Sequence, residues 1–376
     1  MSTAEPIEEV VFDRYTEAGI RIGEHENADI IVCDDAGWEC FLAPGGSVDE
    51  LILGEGFQKG LWKEGRMSIA EFTKKRTRAK LYGTPETTSA VGQNLENAPI
   101  VARVHYDLGN DFFEHILDPE MQYSCGLWSE AQGLGKAHNV AVAQWKKLRL
   151  TGTKMRLTPG DLVLDIGCGF GTLLRFLHEE WGIRGIGVTL SEEQARYARE
   201  VVKGLPIEIR VCDYRDLSCI DADHIVSVGM FEHVGPAHYK EFFGACHDLL
   251  KPSGDLLLHS IFGVLRGGTH SWLERYVFPA GELPVESQMR TASEDFFSIA
   301  DRHRFDPSNY EKTLFAWNRN MHDAWPTLRE SYVDKFFRTQ HYYHQLCAAL
   351  FGIGALCVEQ FHMYKGVVPD CYQKVR

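Results

Sequence analysis

Five positions whose residue types can bind or move charge fall at the ends of short apolar runs: Gly167, Thr189, Asp213, Glu232 and His259. The first run, Leu-Val-Leu-Asp-Ile at 162–166, has the length and composition of a buried strand. Gly167, Gly169 and Gly171 follow it at once. Glycines admit positive φ and let a ligand approach backbone where a Cβ would clash. Asp165, just before them, sets a carboxylate where it accepts a hydrogen bond or faces a cation. The spacing is G-x-G-x-G, not the G-x-G-x-x-G of dinucleotide folds. Such a turn can also serve packing alone, so the case for a ligand rests on its neighbours. Glu232 and His259 add a carboxylate and an imidazole, the side chains of acid–base work.

These positions need elements to hold them. Leu173, Leu174, Leu177 and Trp181 recur at helical spacing after the turn. Further strands are expected at 183–190, 207–211, 224–228 and 256–261, with helices at 137–150 and 239–250 and a turn at 252–254. Strands alternating with helices imply an α/β fold with a parallel, doubly wound, Rossmann-like sheet. Ligands of such sheets sit beyond the carboxyl ends of the strands, so the five positions converge on one cleft. The turn Asp165-Ile166-Gly167-Cys168-Gly169-Phe170-Gly171 resembles the D-x-G-x-G-x-G turn of class I S-adenosylmethionine (SAM) methyltransferases. Many folds of this kind end their second strand with an acid for the ribose hydroxyls. Here it ends Thr189-Leu190-Ser191, which leaves the polar work to Thr189 and Gln194, with Ser191 as an N-cap. Asp213 is placed either to accept from an adenine amino group or to cap a helix.

Composition narrows the classes. The 376 residues suffice for one large and one small domain, and the net charge of -14 disfavours nucleic acid as a partner. It also disfavours whole-body attraction to anionic lipid, so membrane contact needs a local patch. The ten cysteines are scattered without CxxC pairs and the start, MSTAEPIEEV, has no apolar signal core. Reduced thiols and a cytoplasmic location are therefore expected. The most apolar stretch, 347–358, is too short to span a bilayer. Residues 1–85 read as a small N-terminal α+β domain, with a strand at 30–32 and a basic tail at 73–80 that is either a solvated helix face or a lipid patch. Residues 86–100 read as a linker and 101–376 as the catalytic domain. Within it, 262–300 reads as irregular and 310–361 as helical and aromatic-rich, forming core or a hydrophobic channel over the substrate side.

Further runs carry a resemblance over nearly the whole chain. They include HYDLGNDFF at 105–113, MQYSC at 121–125, VLDIGCGFG at 163–171, GVTLSEEQ at 187–194, VSVGMFEHVG at 226–235, FPAGELP at 278–284 and FFRTQHYYHQLCAALF at 336–351. The chain resembles the cyclopropane fatty acid synthases, SAM-dependent enzymes acting on unsaturated acyl chains of phospholipids. LGEGFQKGLW at 53–62 resembles that family's lipid-associated domain. The donor-binding set so expected is Tyr123, Ser124, Asp165, Gly167, Cys168, Gly169, Thr189, Gln194, Asp213 and Tyr214. The resemblance implies a bound bicarbonate as base, held at Cys125, Glu232, His259, Ile261 and Tyr310. It also implies a homodimer that contacts the inner face of the membrane peripherally.

The chemistry explains why such residues are needed. An isolated alkene is a poor nucleophile, and its methylation leaves an electron-deficient carbon that wants aromatic faces and no water. A base must then take a proton from the new methyl for the ring to close. His259, Tyr310 and the N–H groups at Cys125 and Ile261 are expected to donate to the anion. Glu232, which would repel an anion, fits by accepting the O–H of bicarbonate. Cys347 could be a nucleophile, but the reaction needs no covalent adduct, so a structural or gating role is expected. His341, His344 and Cys347 share a helix side, yet no fourth ligand is evident and no metal is expected. The rivals are a related lipid methyltransferase that leaves a methylene or methyl branch, or a SAM- and lipid-binding protein without catalysis.

Overall fold

The computed structural model describes residues 6–42, 48–81, 109–130, 135–264, 270–278 and 282–376. The expected linker at 86–100 lies outside them, as do residues 105–108 and 279–281 of two motifs.

Two sheets organise the described residues. A small one contains β1 (Ile22–Gly23), β2 (Ile30–Val32) and β3 (Trp62–Glu64) in the order β1-β2-β3. The large one is built from β4 (Leu162–Ile166), β5 (Arg184–Thr189), β6 (Ile207–Val211), β7 (Ala222–Val228), β8 (Leu250–Gly263), β9 (Ser298–Arg304) and β10 (Leu356–Tyr364). Its order is β6-β5-β4-β7-β8-β10-β9. The chain reverses direction of travel between β4 and β7, the switch point at which such sheets open a ligand crevice.

The first five strands of that sheet are parallel, as the alternation of elements implied. The edge is not: β10 runs antiparallel to both β8 and β9. This corrects two expectations, the wholly parallel sheet and the helical reading of 310–361. The second helix of that region, Asp334–Gly352, stops at glycine, and Gly354 takes φ +74° before β10 begins. Inside β10, Glu359, Gln360 and His362 are fully buried, which hid the strand's apolar pattern. Arg302 and Arg304 of β9 neutralise Glu359 at 2.6 and 2.7 Å. The irregular reading of 262–300 likewise missed helices at Ser271–Tyr276 and Glu286–Ser293 and the start of β9.

Hydrophobic packing joins the small sheet to the helical cover. Phe57 and Trp62 pack on Tyr342 of the helix Asp334–Gly352, with ring centroids 5.7 and 6.3 Å apart. Trp272 closes on the same ring at 4.6 Å. Gly54, in the helix Glu50–Lys59, lets the backbone pass this indole, because a Cβ there would lie 2.2 Å from Trp272 Cδ1. Gly54→Ala is therefore expected to destabilise by about 1–3 kcal/mol through overpacking. A thermal melt checks this, and an unchanged midpoint would contradict the packing. The basic tail is partly consumed within the fold. Arg76 is buried and holds Glu50 at 2.7 Å, Lys74 pairs with Glu311, and Lys75 donates to Gly19 O at 3.0 Å.

Candidate active site

All ten expected donor-binding residues line one cavity: Tyr123, Ser124, Asp165, Gly167, Cys168, Gly169, Thr189, Gln194, Asp213 and Tyr214. The sheet register explains the convergence, because Asp165 lies level with Gly187 and Val226, and Thr189 with Val211. The turn takes positive φ at Gly167 (+85°), Gly169 (+52°) and Gly171 (+74°), and Gly171 opens the helix Thr172–Trp181. Thr189 Oγ1 donates to Gln194 Oε1 at 3.0 Å, and Ser191 Oγ caps the next helix by accepting from the Gln194 N–H at 3.2 Å. Asp213 takes the capping role weighed for it and also faces the cavity. It lines the cavity and caps a short 3₁₀ turn, while Arg215 binds its two oxygens at 2.8 and 2.7 Å.

The wall at 121–125 is an irregular segment with Met121 at φ +46°, and side chains from elsewhere hold it. Gln144 donates to Ser124 O at 2.7 Å, Gln122 donates to Thr172 Oγ1 at 2.8 Å, and Lys147 donates to Ser124 Oγ at 3.0 Å and to Gln122 Oε1. Sequence reasoning missed Gln122, Gln144 and Lys147. The sole trace was their place on a helix and a motif already noted, since a buried Lys at helical spacing reads as a solvated one. His233 also lines the cavity, and burial lowers its pKa to about 4.

The six other candidates are not part of that lining; five are buried and Ile261 is half-buried. Glu232 is the most informative. The Ile261 N–H donates to its Oε1 at 2.7 Å, while Oε2 is buried with no hydrogen-bond partner. This corrects one expectation: the Ile261 N–H serves Glu232, not an anion directly. Burial raises the Glu232 pKa from 4.5 to about 7, against the lowering effect of the Ile261 bond. Burial raises Asp165 from 3.8 to about 7, with Lys147 pulling the other way, and its Oδ1 is also buried without a partner. For each carboxyl the folded pKa exceeds the unfolded one, so the native state holds the proton longer. Each therefore costs stability as pH rises through the window from its ordinary value to about 7.

His259 does not end its strand. It lies within β8, opposite Val228 of β7, because the apolar run continues to Gly263 against β10. Its Nδ1 lies 3.2 Å from Gln360 Nε2, Phe305 meets it edge-on at 5.4 Å, and burial holds its pKa well below the usual range, keeping the ring neutral. Tyr310 is buried between Phe351 (4.5 Å) and Trp317 (6.1 Å), and its hydroxyl has no hydrogen-bond partner among the described residues. It lies within electrostatic reach of Cys125, Tyr123, Glu232 and Cys347, so these groups share one neighbourhood. Burial pushes the Cys125 and Cys347 thiols far up, and neither is poised as a thiolate. His341 is held by Glu64 (3.0 Å), Asn318 (3.0 Å) and His322 (2.9 Å), which ties it to the small sheet.

Rings continue from this neighbourhood towards the donor cavity: Trp317 to Tyr123 at 5.0 Å, Tyr123 to Phe113 at 5.1 Å, and Phe113 to Phe170 at 5.7 Å. A glycine-rich donor turn beside two buried acids, each with one oxygen lacking a partner, and an aromatic wall defines a SAM-dependent methyltransferase of the class I fold. Comparison with known proteins narrows the class. The family model "Mycolic acid cyclopropane synthetase" matches residues 93–361. The cyclopropane-fatty-acyl-phospholipid synthase of Escherichia coli K12 is 38% identical over 362 residues, 93% of this chain and 91% of its own. The solved cyclopropane synthase MmaA2 from Mycobacterium tuberculosis superposes with a TM-score of 0.66 at 28% identity, covering 71% of this chain and 98% of its own. The mycolic acid cyclopropane synthase CmaA1, solved with SAH and CTAB, gives 0.65 at 28% identity and the same coverage. The chain belongs to the cyclopropane fatty acid synthase family.

Proposed function

We propose that this enzyme transfers the methyl of SAM to the cis double bond of an unsaturated acyl chain of a phospholipid and closes a cyclopropane ring with bicarbonate as base. The observation that carries the reading is Glu232: one oxygen is bound to the Ile261 N–H, and the other is buried without a hydrogen-bond partner, the neighbouring Ser260 hydroxyl donating to the Ile261 carbonyl at 3.4 Å instead. A buried acceptor in that state calls for a ligand that brings a proton of its own. Bicarbonate has one O–H, and the Tyr310 hydroxyl and the neutral His259 ring are donors for its remaining oxygens, so the residues present fit it.

SAM, when bound, supplies an electrophilic methyl, and bicarbonate, when bound, supplies the base. The chain's residues do the rest. Asp165, Thr189 and Asp213, at or just past the carboxyl ends of β4, β5 and β6, orient the donor together with Gln194 of the helix Glu192–Val201. Tyr123, Trp317 and Tyr310 give the electron-deficient acyl carbon aromatic faces and keep water out. Glu232 accepts the bicarbonate O–H, which orients the anion and raises its basicity. In this reading residues 1–85 form the lipid-associated domain and 101–376 the catalytic one, the enzyme works as a homodimer, and its contact with the bilayer is peripheral. No helix among the described residues is long and apolar enough to cross a membrane.

Incubation with SAM and vesicles of monounsaturated phospholipid tests the reading: the lipid should gain one CH2 as a ring, whereas a methylene or methyl branch, or no product, would overturn it. Cys347→Ala separates the two roles weighed for that thiol. It is expected to keep kcat within about threefold. Abolished turnover in a folded variant would restore the nucleophile.

A further inference from the structure

Lys147 lies on the helix Val140–Met155 with 1% of its surface exposed. A lysine is almost never buried to this degree unless paired. Its hydrogen-bond partners, Ser124 Oγ at 3.0 Å and Gln122 Oε1, are neutral, and both residues line the donor cavity. Neutral acceptors do not balance a buried ammonium. The acids within electrostatic reach are Asp118 and Asp165, with the Cys125 thiol beside them. Asp165 lines the same cavity, and its Oδ1 has no hydrogen-bond partner. The other titratable groups facing this cluster are Cys168, which feels Asp165, and His259, which feels Lys147 together with Lys154 and His303.

We propose that Lys147 is a positioning residue of the methyl-donor pocket: its ammonium pins the 122–124 wall and favours the carboxylate form of Asp165 beside the glycine turn, where a cationic group of the ligand can meet it. The inference rests on reading the cavity as the donor pocket. Burial alone opposes ionisation of Asp165, and the Lys147 charge is what pulls in the other direction. The arrangement costs the fold something, because burial also lowers the Lys147 pKa to about 8. A lysine kept only for packing would be replaceable by an apolar isostere without loss, and such replacements of buried charges are often neutral or stabilising.

The test is calorimetric titration of the full chain with S-adenosylhomocysteine (SAH) across a pH series, together with thermal melts. In Lys147→Met the affinity at neutral pH should fall at least about tenfold. The pH midpoint of binding should rise by about one unit or more, since Asp165 without its cation holds its proton longer. The melting temperature should not fall. Lys147→Gln, which keeps a donor without the charge, should shift the midpoint in the same direction and decides the matter if the Met variant does not fold. Lys147→Arg should hold the midpoint in place. An unmoved midpoint in the neutral variants, or an Arg variant shifted as far as Met, would overturn the inference alone. Wild-type protein that bound no SAH would overturn the donor-pocket reading and the inference with it.

Discussion

Glu232→Gln is expected to slow ring formation by about 10²–10⁴-fold, the range for a group that orients or activates a catalytic base. SAH affinity should stay within about threefold, because Glu232 lies outside the lining of the donor cavity. The amide keeps an acceptor for the Ile261 N–H. What it loses is the negative oxygen: its NH2 brings a donor to a place that needs an acceptor. Rate measured against SAH titration separates the roles, and equal loss of both would refute the assignment. The pH dependence has a definite sign. Glu232 must be ionised to accept the bicarbonate O–H, and its pKa is about 7, so turnover should fall as pH drops through that value. The Gln variant should lose that limb of the profile.

Gly167→Ala should be far more damaging than Gly169→Ala at the donor turn. Gly167 holds φ +85°, and a Cβ there would lie 2.7 Å from Met230 Cβ. Left-handed backbone strain and overpacking add, each about 1–3 kcal/mol, so denaturant melts should show a loss of a few kcal/mol. SAH binding should fall more than about tenfold, since the turn shapes the pocket floor. Gly169→Ala is the control. Its nearest neighbour to a new Cβ is Gln194 Nε2 at 3.9 Å, so strain acts there without a clash and the stability loss should be smaller. Equal stability in both variants would contradict this account of the turn.

The donor side of the site was legible because backbone rules wrote it. Gly167, Thr189 and Asp213 follow short apolar runs at regular intervals, and a parallel sheet brings such ends together whatever the side chains do. Ser191 could be read as a cap for the same local reason. The far edge was not legible. Leu356–Tyr364 buries Glu359, Gln360 and His362, made tolerable by distant partners, the arginines of the adjacent strand for Glu359, His259 for Gln360 and Asp255 for His362, which no window of sequence reveals. Lys147 was missed on the same ground, since its burial depends on loop residues 25 and 23 positions away. The Ile261 N–H was assigned to the anion because the sequence cannot say where Glu232 points. Local propensity reports elements, whereas buried charge is a tertiary fact.

The central claim is that a dry site pairs a methyl donor with a carbon–carbon double bond and lets bicarbonate finish the reaction. It is tested most directly by following product formation on monounsaturated phospholipid vesicles in buffer stripped of carbon dioxide, then with bicarbonate restored, with mass and proton NMR spectra of the lipid. The account predicts a cyclopropane whose rate of formation collapses without bicarbonate and recovers on its return. A ring formed at full speed in stripped buffer, or a branched chain in place of the ring, would contradict it.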